Sequence, residues 1–178
     1  NTKIFINSIS NYIMNDDDLR ILEAENKDIL SNIVLEVLES EETNIEYVKA
    51  KQRWIKSRNA MTALDDFGSG YNSEYALITL EPDLIKIDRS IISGCDRDAG
   101  KADIISKLVQ IASTKNILVL AEGVETYDEL ETVIRCGVNL LQGFYFGKPT
   151  FEPAVCSEKT TKEILSIARK VKNDTKNQ

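Results

Sequence analysis

Histidine is absent from all 178 residues. That excludes a Ser-His-Asp triad, imidazole acid–base chemistry and His-rich zinc sites. Cysteine is scarce: Cys95, Cys136 and Cys156 are odd in number, far apart and form no Cys-x-x-Cys. The reading is a reduced, cytoplasmic setting. No apolar run approaches the ~20 residues of a membrane span and no signal-peptide pattern is present, so no membrane contact by this domain is expected. Positive charge is also short. Lys and Arg number 22 against 29 Asp and Glu, a net charge of −7, which argues against a nucleic-acid polymer as partner. A phosphate-bearing ligand would need its charge offset by another source, and cations held by carboxylates could supply it.

What is present is ordinary in bulk and specific in pattern. Apolar residues make up 42% and charged residues 29%, enough for one buried core at this length. The chain starts at Asn1 already inside an apolar run, and it is read as a piece of a longer protein. Six short apolar runs recur: Ile4 to Ile6, Ile33 to Leu35, Met61 to Leu64, Leu84 to Ile87, Ile117 to Ala121 and Leu140-Leu141. Helical stretches lie between them. Asn15 with Asp16 to Asp18 opens one; Thr43 and Glu46 suggest a capping box for a second, through Lys56. A third is expected over about 102–115. Thr126 and Glu129 form another capping box for a helix stopped at Gly137. The last is expected over roughly 160–171, with a fraying polar tail at 173–178 after one domain over 1–172.

Strands apolar on both faces and separated by helices imply an α/β fold with a parallel sheet. An open doubly wound sheet and a (β/α) barrel both fit. The run ends favour the barrel, because each finishes on or beside a polar residue: Asn7, Glu36, Asp65 with Asp66, Lys86, Glu122 and Gln142. The C-terminal strand ends of a barrel converge on one mouth, whereas in an open sheet only those at the switch point meet. The Asp65-Asp66 pair, followed by Gly68 and Gly70, is the centre of the pattern. Taken alone it reads as an exposed acidic turn.

Carboxylates with an Asn and a Gln form an all-oxygen set that suits Mg²⁺, Mn²⁺ or Ca²⁺ rather than zinc. Two such ions can clamp a phosphodiester and activate water, with Lys86 holding the water or offsetting phosphoryl charge. Gly123, Gly143 and Gly147 follow the last two strands, where barrel enzymes often cradle phosphate. Metal-assisted phosphate-ester hydrolysis, a Lys86 Schiff-base lyase and a non-catalytic barrel all remain open on this reading. Asp66-Phe67-Gly68 is similar to the kinase Asp-Phe-Gly, but the kinase ATP loop and catalytic loop are absent.

Four segments carry a more specific resemblance: Ala63-Leu64-Asp65-Asp66-Phe67-Gly68-Ser69-Gly70-Tyr71, Pro82-Asp83-Leu84-Ile85-Lys86-Ile87-Asp88-Arg89-Ser90, Leu120-Ala121-Glu122-Gly123-Val124-Glu125-Thr126 and Leu141-Gln142-Gly143-Phe144-Tyr145-Phe146-Gly147-Lys148-Pro149. In this order and spacing the chain resembles the C-terminal three-quarters of an EAL domain, the bacterial cyclic di-GMP phosphodiesterase. The resemblance implies a TIM-like (β/α)₈ barrel, here as six βα units, that binds two Mg²⁺ or Mn²⁺ ions, is inhibited by Ca²⁺, forms homodimers and hydrolyses cyclic di-GMP to linear pGpG, with additional sensor or cyclase domains in the longer protein. It implies metal ligands at Asn7, Glu36, Asp65, Asp66 and Glu122, and catalytic roles for Glu122, Lys86 and Asp66. Glu39 would brace the mobile loop at Gly68 and Gly70; Gln142 and Glu125 would support substrate. The Glu-Ala-Leu signature and the first two family strands are absent, so an inactive binding or dimerisation module is the alternative.

Smaller expectations attach to the flanking residues. Asp88 is expected to pair with Lys86. Arg89 and Lys148 read as surface charge, and Phe144 and Tyr145 as barrel packing.

Overall fold

The computed structural model describes residues 2–9, 11–38, 44–68, 73–152 and 155–176. Six strands alternate with seven α-helices among these residues. The chain divides within its fourth strand into two compact units, Asn1–Ile85 and Lys86–Gln178.

The first unit holds β1 (Ile4–Asn7), α1 (Asp16–Asn26), a 3₁₀ turn (Leu30–Asn32), β2 (Ile33–Leu38), α2 (Ile45–Lys56), β3 (Met61–Phe67), α3 (Ser73–Leu80) and the start of β4 (Leu84–Ile87). β1, β2 and β3 lie side by side in chain order and run parallel. Asn7 pairs with Glu36, Glu36 with Ala63 and Leu38 with Asp65. Asn15 starts α1 by accepting the Asp18 N–H at 2.9 Å, and three aspartates fill the first turn at the positive end of the helix dipole. α2 begins at Ile45, where Asn44 accepts the Glu46 N–H at 3.0 Å. The cap is therefore Asn44, and the expected Thr43 lies outside the described residues. Leu30, Ile33, Ile55 and Ala60 cluster beneath Leu35 and Trp54. Asp83 accepts from the Thr62 N–H and hydroxyl at 2.8 and 3.1 Å, setting the approach to β4 against β3.

The second unit holds the rest of β4, α4 (Arg89–Ile92), α5 (Ala99–Thr114), β5 (Leu118–Ala121), α6 (Tyr127–Arg135), β6 (Leu140–Leu141) and α7 (Glu158–Lys176). β5 and β6 are parallel, with Leu120 opposite Leu140, and the Glu122 N–H reaches the Ile87 carbonyl of β4 at 3.1 Å. All four residues of β4 are buried, as expected of a strand covered on both faces. α5 starts at Ala99, three residues earlier than the periodicity suggests, because Asp98 accepts the Gly100 and Lys101 N–H groups. The Thr126–Glu129 capping box is formed as expected, and Gly137 follows α6 at φ 89.

α7 departs from expectation at its end. It continues to Lys176 through the polar segment expected to fray. Ile167 is fully buried, and Arg135 of α6 pairs with Asp174 at 3.4 Å. No helix among the described residues is long and apolar enough to cross a membrane.

Candidate active site

In the first unit the acidic set is built by strand register. Parallel partners point to the same face and residues two apart along a strand share it. Asn7, Glu36, Ala63 and Asp65 therefore line one face at the C-terminal ends of three neighbouring strands. The strands outrun the apolar runs: β2 extends two residues past Glu36, and β3 includes Asp65 and Asp66. Glu36 is only 8% exposed, and a Glu36 carboxylate oxygen lies within 4.8 Å of one from Asp65. At that separation two carboxylates repel by about 3 kcal/mol at an effective dielectric near 20. A divalent cation between them would turn repulsion into attraction, so this oxygen pair suits a hard divalent cation. Asp66 adopts φ 54, left-handed for a non-glycine residue, and is exposed. That twist breaks the strand alternation just after Asp65, and Gly68 continues the turn at φ 96. Glu39 and Gly70 lie outside the described residues.

The second unit, taken by itself, holds a buried lysine. Lys86 Nζ stands 2.5 Å from a Glu122 carboxylate oxygen, with side-chain exposures of 5% and 18%. The carboxylate against Lys86 is thus Glu122 rather than the expected Asp88. Asp88 caps α4, accepting the Ser90 N–H at 2.9 Å. Hydrogen bonds from Ser90 hold the Asp88 carboxyl below its usual range against the opposing effect of burial. A carboxylate oxygen of Asp88 still lies within 4.8 Å of one from Glu122.

The loop after β5 is pinned from both sides. The Val124 N–H donates to the Gln142 carbonyl and the Val124 carbonyl accepts from the Tyr145 N–H, both at 3.0 Å. Gly143 is required there, since a Cβ would sit 2.1 Å from the Val124 carbonyl oxygen. Glu125 pairs with Arg89 at 2.7 Å, and Arg89 is exposed, as expected of surface charge. Gln142, at the end of β6, lines a cleft of about 440 Å³ with Phe144, Lys148 and Cys156.

Phe144 corrects a second expectation. It is 53% exposed rather than packed, with the Lys148 ammonium 5.8 Å from its ring centre. Tyr145 does pack, edge-on to Phe146 with its hydroxyl donating to Glu163 at 2.6 Å. Burial first, then Glu129 and other neighbours, push the Cys95 thiol up to about 11.

One contact near these residues has no sequence signal. Lys51 on α2 reaches across the first unit to the Ser8 hydroxyl at 2.8 Å and to the Ile9 carbonyl, holding the turn that follows Asn7. Its partners are 43 and 42 positions away in sequence, beyond the reach of any local motif.

Comparison with known proteins agrees with this geometry. The EAL domain family model matches residues 2–149. The bifunctional diguanylate cyclase/cyclic di-GMP phosphodiesterase MucR of Pseudomonas aeruginosa is 38% identical over 122 residues, which is 67% of this chain and 18% of MucR. Among solved structures, a standalone EAL protein of Vibrio cholerae O395 in its c-di-GMP-bound form aligns at a TM-score of 0.80 and 32% identity, covering 90% of this chain and 70% of that one. The Klebsiella pneumoniae BlrP1 manganese/cy-diGMP complex aligns at 0.74 and 26% identity, covering 83% of this chain and 39% of that one. The fold class is α/β of the EAL barrel type, and the chain belongs to the EAL domain family.

Proposed function

We propose that the protein carrying this chain is a divalent-metal-dependent phosphodiesterase that opens cyclic di-GMP to linear pGpG. The chain spans 18% of MucR and 22% of PdeD, the first curated relatives matched, so the activity of those whole proteins reaches it as a proposal. The observation that carries the reading is the buried Lys86–Glu122 pair at 2.5 Å. A non-catalytic ligand receptor has no need of an ammonium and a carboxylate in contact at strand ends.

Asn7, Glu36, Asp65 and Asp66 of the first unit, and Glu122 of the second, are the residues that would hold Mg²⁺ or Mn²⁺; the ions would polarise the phosphoryl oxygens and lower the pKa of water. The chain's own groups do the remainder. Glu122 takes the proton of the attacking water. Lys86 donates hydrogen bonds to that water and offsets charge gathering on the phosphoryl oxygens. Water oxygen bonds to phosphorus, one P–O bond to a ribose 3′ oxygen breaks, and the released oxygen takes up a proton, leaving a 5′ phosphate on a linear dinucleotide. Glu125 with Arg89, and Gln142 beside Phe144, support the substrate. Glu39 would brace the loop of Gly68 and Gly70 that follows the acidic pair in sequence. The BlrP1 manganese complex supports the choice of ion. Ca²⁺, larger and more loosely coordinated, would occupy the same oxygens with poorer geometry and inhibit. A homodimer in the cytoplasm completes the proposal.

The test is conversion of cyclic di-GMP to pGpG by the protein carrying this domain. We expect turnover with Mg²⁺ or Mn²⁺, loss with EDTA, and at least a hundredfold loss in Asp65→Asn. Wild-type protein that binds cyclic di-GMP without turnover under either ion would sink the enzymatic reading and leave a receptor.

A further inference from the structure

Glu129, near the start of α6, is 4% exposed, and its two oxygens accept three backbone N–H groups. Oε1 takes Gly94 at 2.9 Å; Oε2 takes Glu125 at 2.9 Å and Thr126 at 3.1 Å. The Thr126 bond is the ordinary second half of a capping box. The other two reach outside α6. Gly94 belongs to the turn leaving α4, the short helix that starts right after Asp88. Glu125 belongs to the turn leaving β5. One buried carboxylate therefore ties the segment that follows Lys86 to the segment that follows Glu122.

The clamp is charged and tight. Burial alone would favour the neutral acid, but the N–H groups of Gly94, Glu125 and Thr126 outweigh it and hold Glu129 below the usual carboxylate range. The surroundings leave little slack: a Cβ at Gly123 would sit 2.6 Å from Arg89 Cγ, so the Arg89 side chain already lies against the loop it pairs with through Glu125. Ionic hydrogen bonds to backbone amides are the strong ones, and groups placed by them keep their spacing to fractions of an ångström.

We propose that Glu129 is a positioning residue, which by clamping Gly94, Glu125 and Thr126 fixes the spacing of the Lys86–Glu122 and Arg89–Glu125 pairs and so governs turnover without touching substrate. The proposal rests on the phosphodiesterase reading above for its effect on rate. Its effect on the loop is independent of that reading. Glu122 and Lys86 act in the chemical step, so loosening them lowers kcat more than it raises KM.

The experiment compares Glu129→Ala, Glu129→Gln and Thr126→Ala in the protein carrying this domain. Thr126→Ala removes the helix cap and leaves the bonds from Gly94 and Glu125 to Glu129, so it measures what loss of the cap alone does. Expected for Glu129→Ala are at least tenfold faster amide exchange at Gly94 and Glu125 and at least a tenfold drop in kcat for cyclic di-GMP, with KM within threefold. Glu129→Gln keeps one acceptor oxygen for the N–H groups of Glu125 and Thr126 but turns an NH₂ donor toward the Gly94 N–H, so exchange at Gly94 speeds as in Glu129→Ala, Glu125 stays protected, and kcat falls to between wild type and Glu129→Ala. Thr126→Ala lowers the melting temperature while kcat stays within twofold. Equal kcat losses in Glu129→Ala and Thr126→Ala, or unchanged exchange at Gly94 and Glu125, overturn the proposal. Were wild-type turnover absent, the phosphodiesterase reading would fail, and the exchange rates alone would still decide whether Glu129 is the clamp.

Discussion

Glu122→Gln keeps the shape of the β5 end while withdrawing the negative charge 2.5 Å from the Lys86 ammonium. Coulomb attraction at that distance is about 7 kcal/mol at an effective dielectric near 20. Desolvation opposes it, because taking each ion out of water costs several kcal/mol. Lys86 is buried on β4 among Leu84, Ile85 and Ile87, so water has little access to take the place of the lost carboxylate. Breaking a buried pair from one side costs about 3–5 kcal/mol. Lys86 has further polar contacts, which places the expected loss near the lower end, about 3 kcal/mol. In a domain of this size that shifts Tm by about 6–12 °C. Urea unfolding with EDTA present isolates the pair from any bound ion. The double variant Lys86→Met with Glu122→Leu removes both charges and should unfold within about 1 kcal/mol of wild type. If Glu122→Gln and wild type share one urea midpoint, the pair is not a buried electrostatic contact and the argument built on it fails.

Two other perturbations probe the same unit. Gly143→Ala would place a Cβ 2.1 Å from the Val124 carbonyl oxygen and 2.3 Å from its nitrogen, forcing apart two backbone hydrogen bonds at about 3 kcal/mol or more. Gly94→Ala, whose Cβ meets nothing nearer than 3.6 Å, costs only its left-handed backbone, about 1–2 kcal/mol; equal melting temperatures for the two variants would contradict the loop packing. The hydrogen bond to Glu163 pushes the Tyr145 phenol up to about 12. A raised folded pKa means the contribution is complete below the unfolded value of about 10 and is lost as pH climbs from there through 12. Tyrosinate absorbance should show one late-titrating group that vanishes in Tyr145→Phe and moves towards 10 in Glu163→Gln; a titration curve unaltered in Tyr145→Phe would refute the assignment.

Much of this was legible because burial and chemistry leave marks at short range. All six strands stand where apolar runs end in a polar residue, and Asn15 and Thr126 cap the helices their sequence motifs suggest. The acidic set was legible for the same reason: Glu36 and Asp65 interrupt runs that are otherwise apolar. α3 gave no sign of itself, since Tyr-Ala-Leu-Ile-Thr-Leu at 75–80 is apolar all round and carries no amphipathic period. α4 is a single turn, too short for periodicity. α7 was expected to stop near Val171 because polarity rises there, whereas its contact with Arg135 is a tertiary effect. Long-range hydrogen bonds were invisible for the same reason. Nothing near Glu129 in sequence indicates Gly94, 35 residues away, as its partner. Likewise the choice of Glu122 over Asp88 for Lys86 depends on strand neighbours, which spacing along one strand cannot supply.

The proposed reaction is hydrolysis of a phosphodiester by water at this acidic set. Its most direct measurement is the product of cyclic di-GMP turnover in ¹⁸O-labelled water with Mn²⁺. Hydrolysis yields pGpG carrying one solvent oxygen on its 5′ phosphate, formed by wild type and not by Asp65→Asn. Product without solvent oxygen, or equal product from Asp65→Asn, would contradict it.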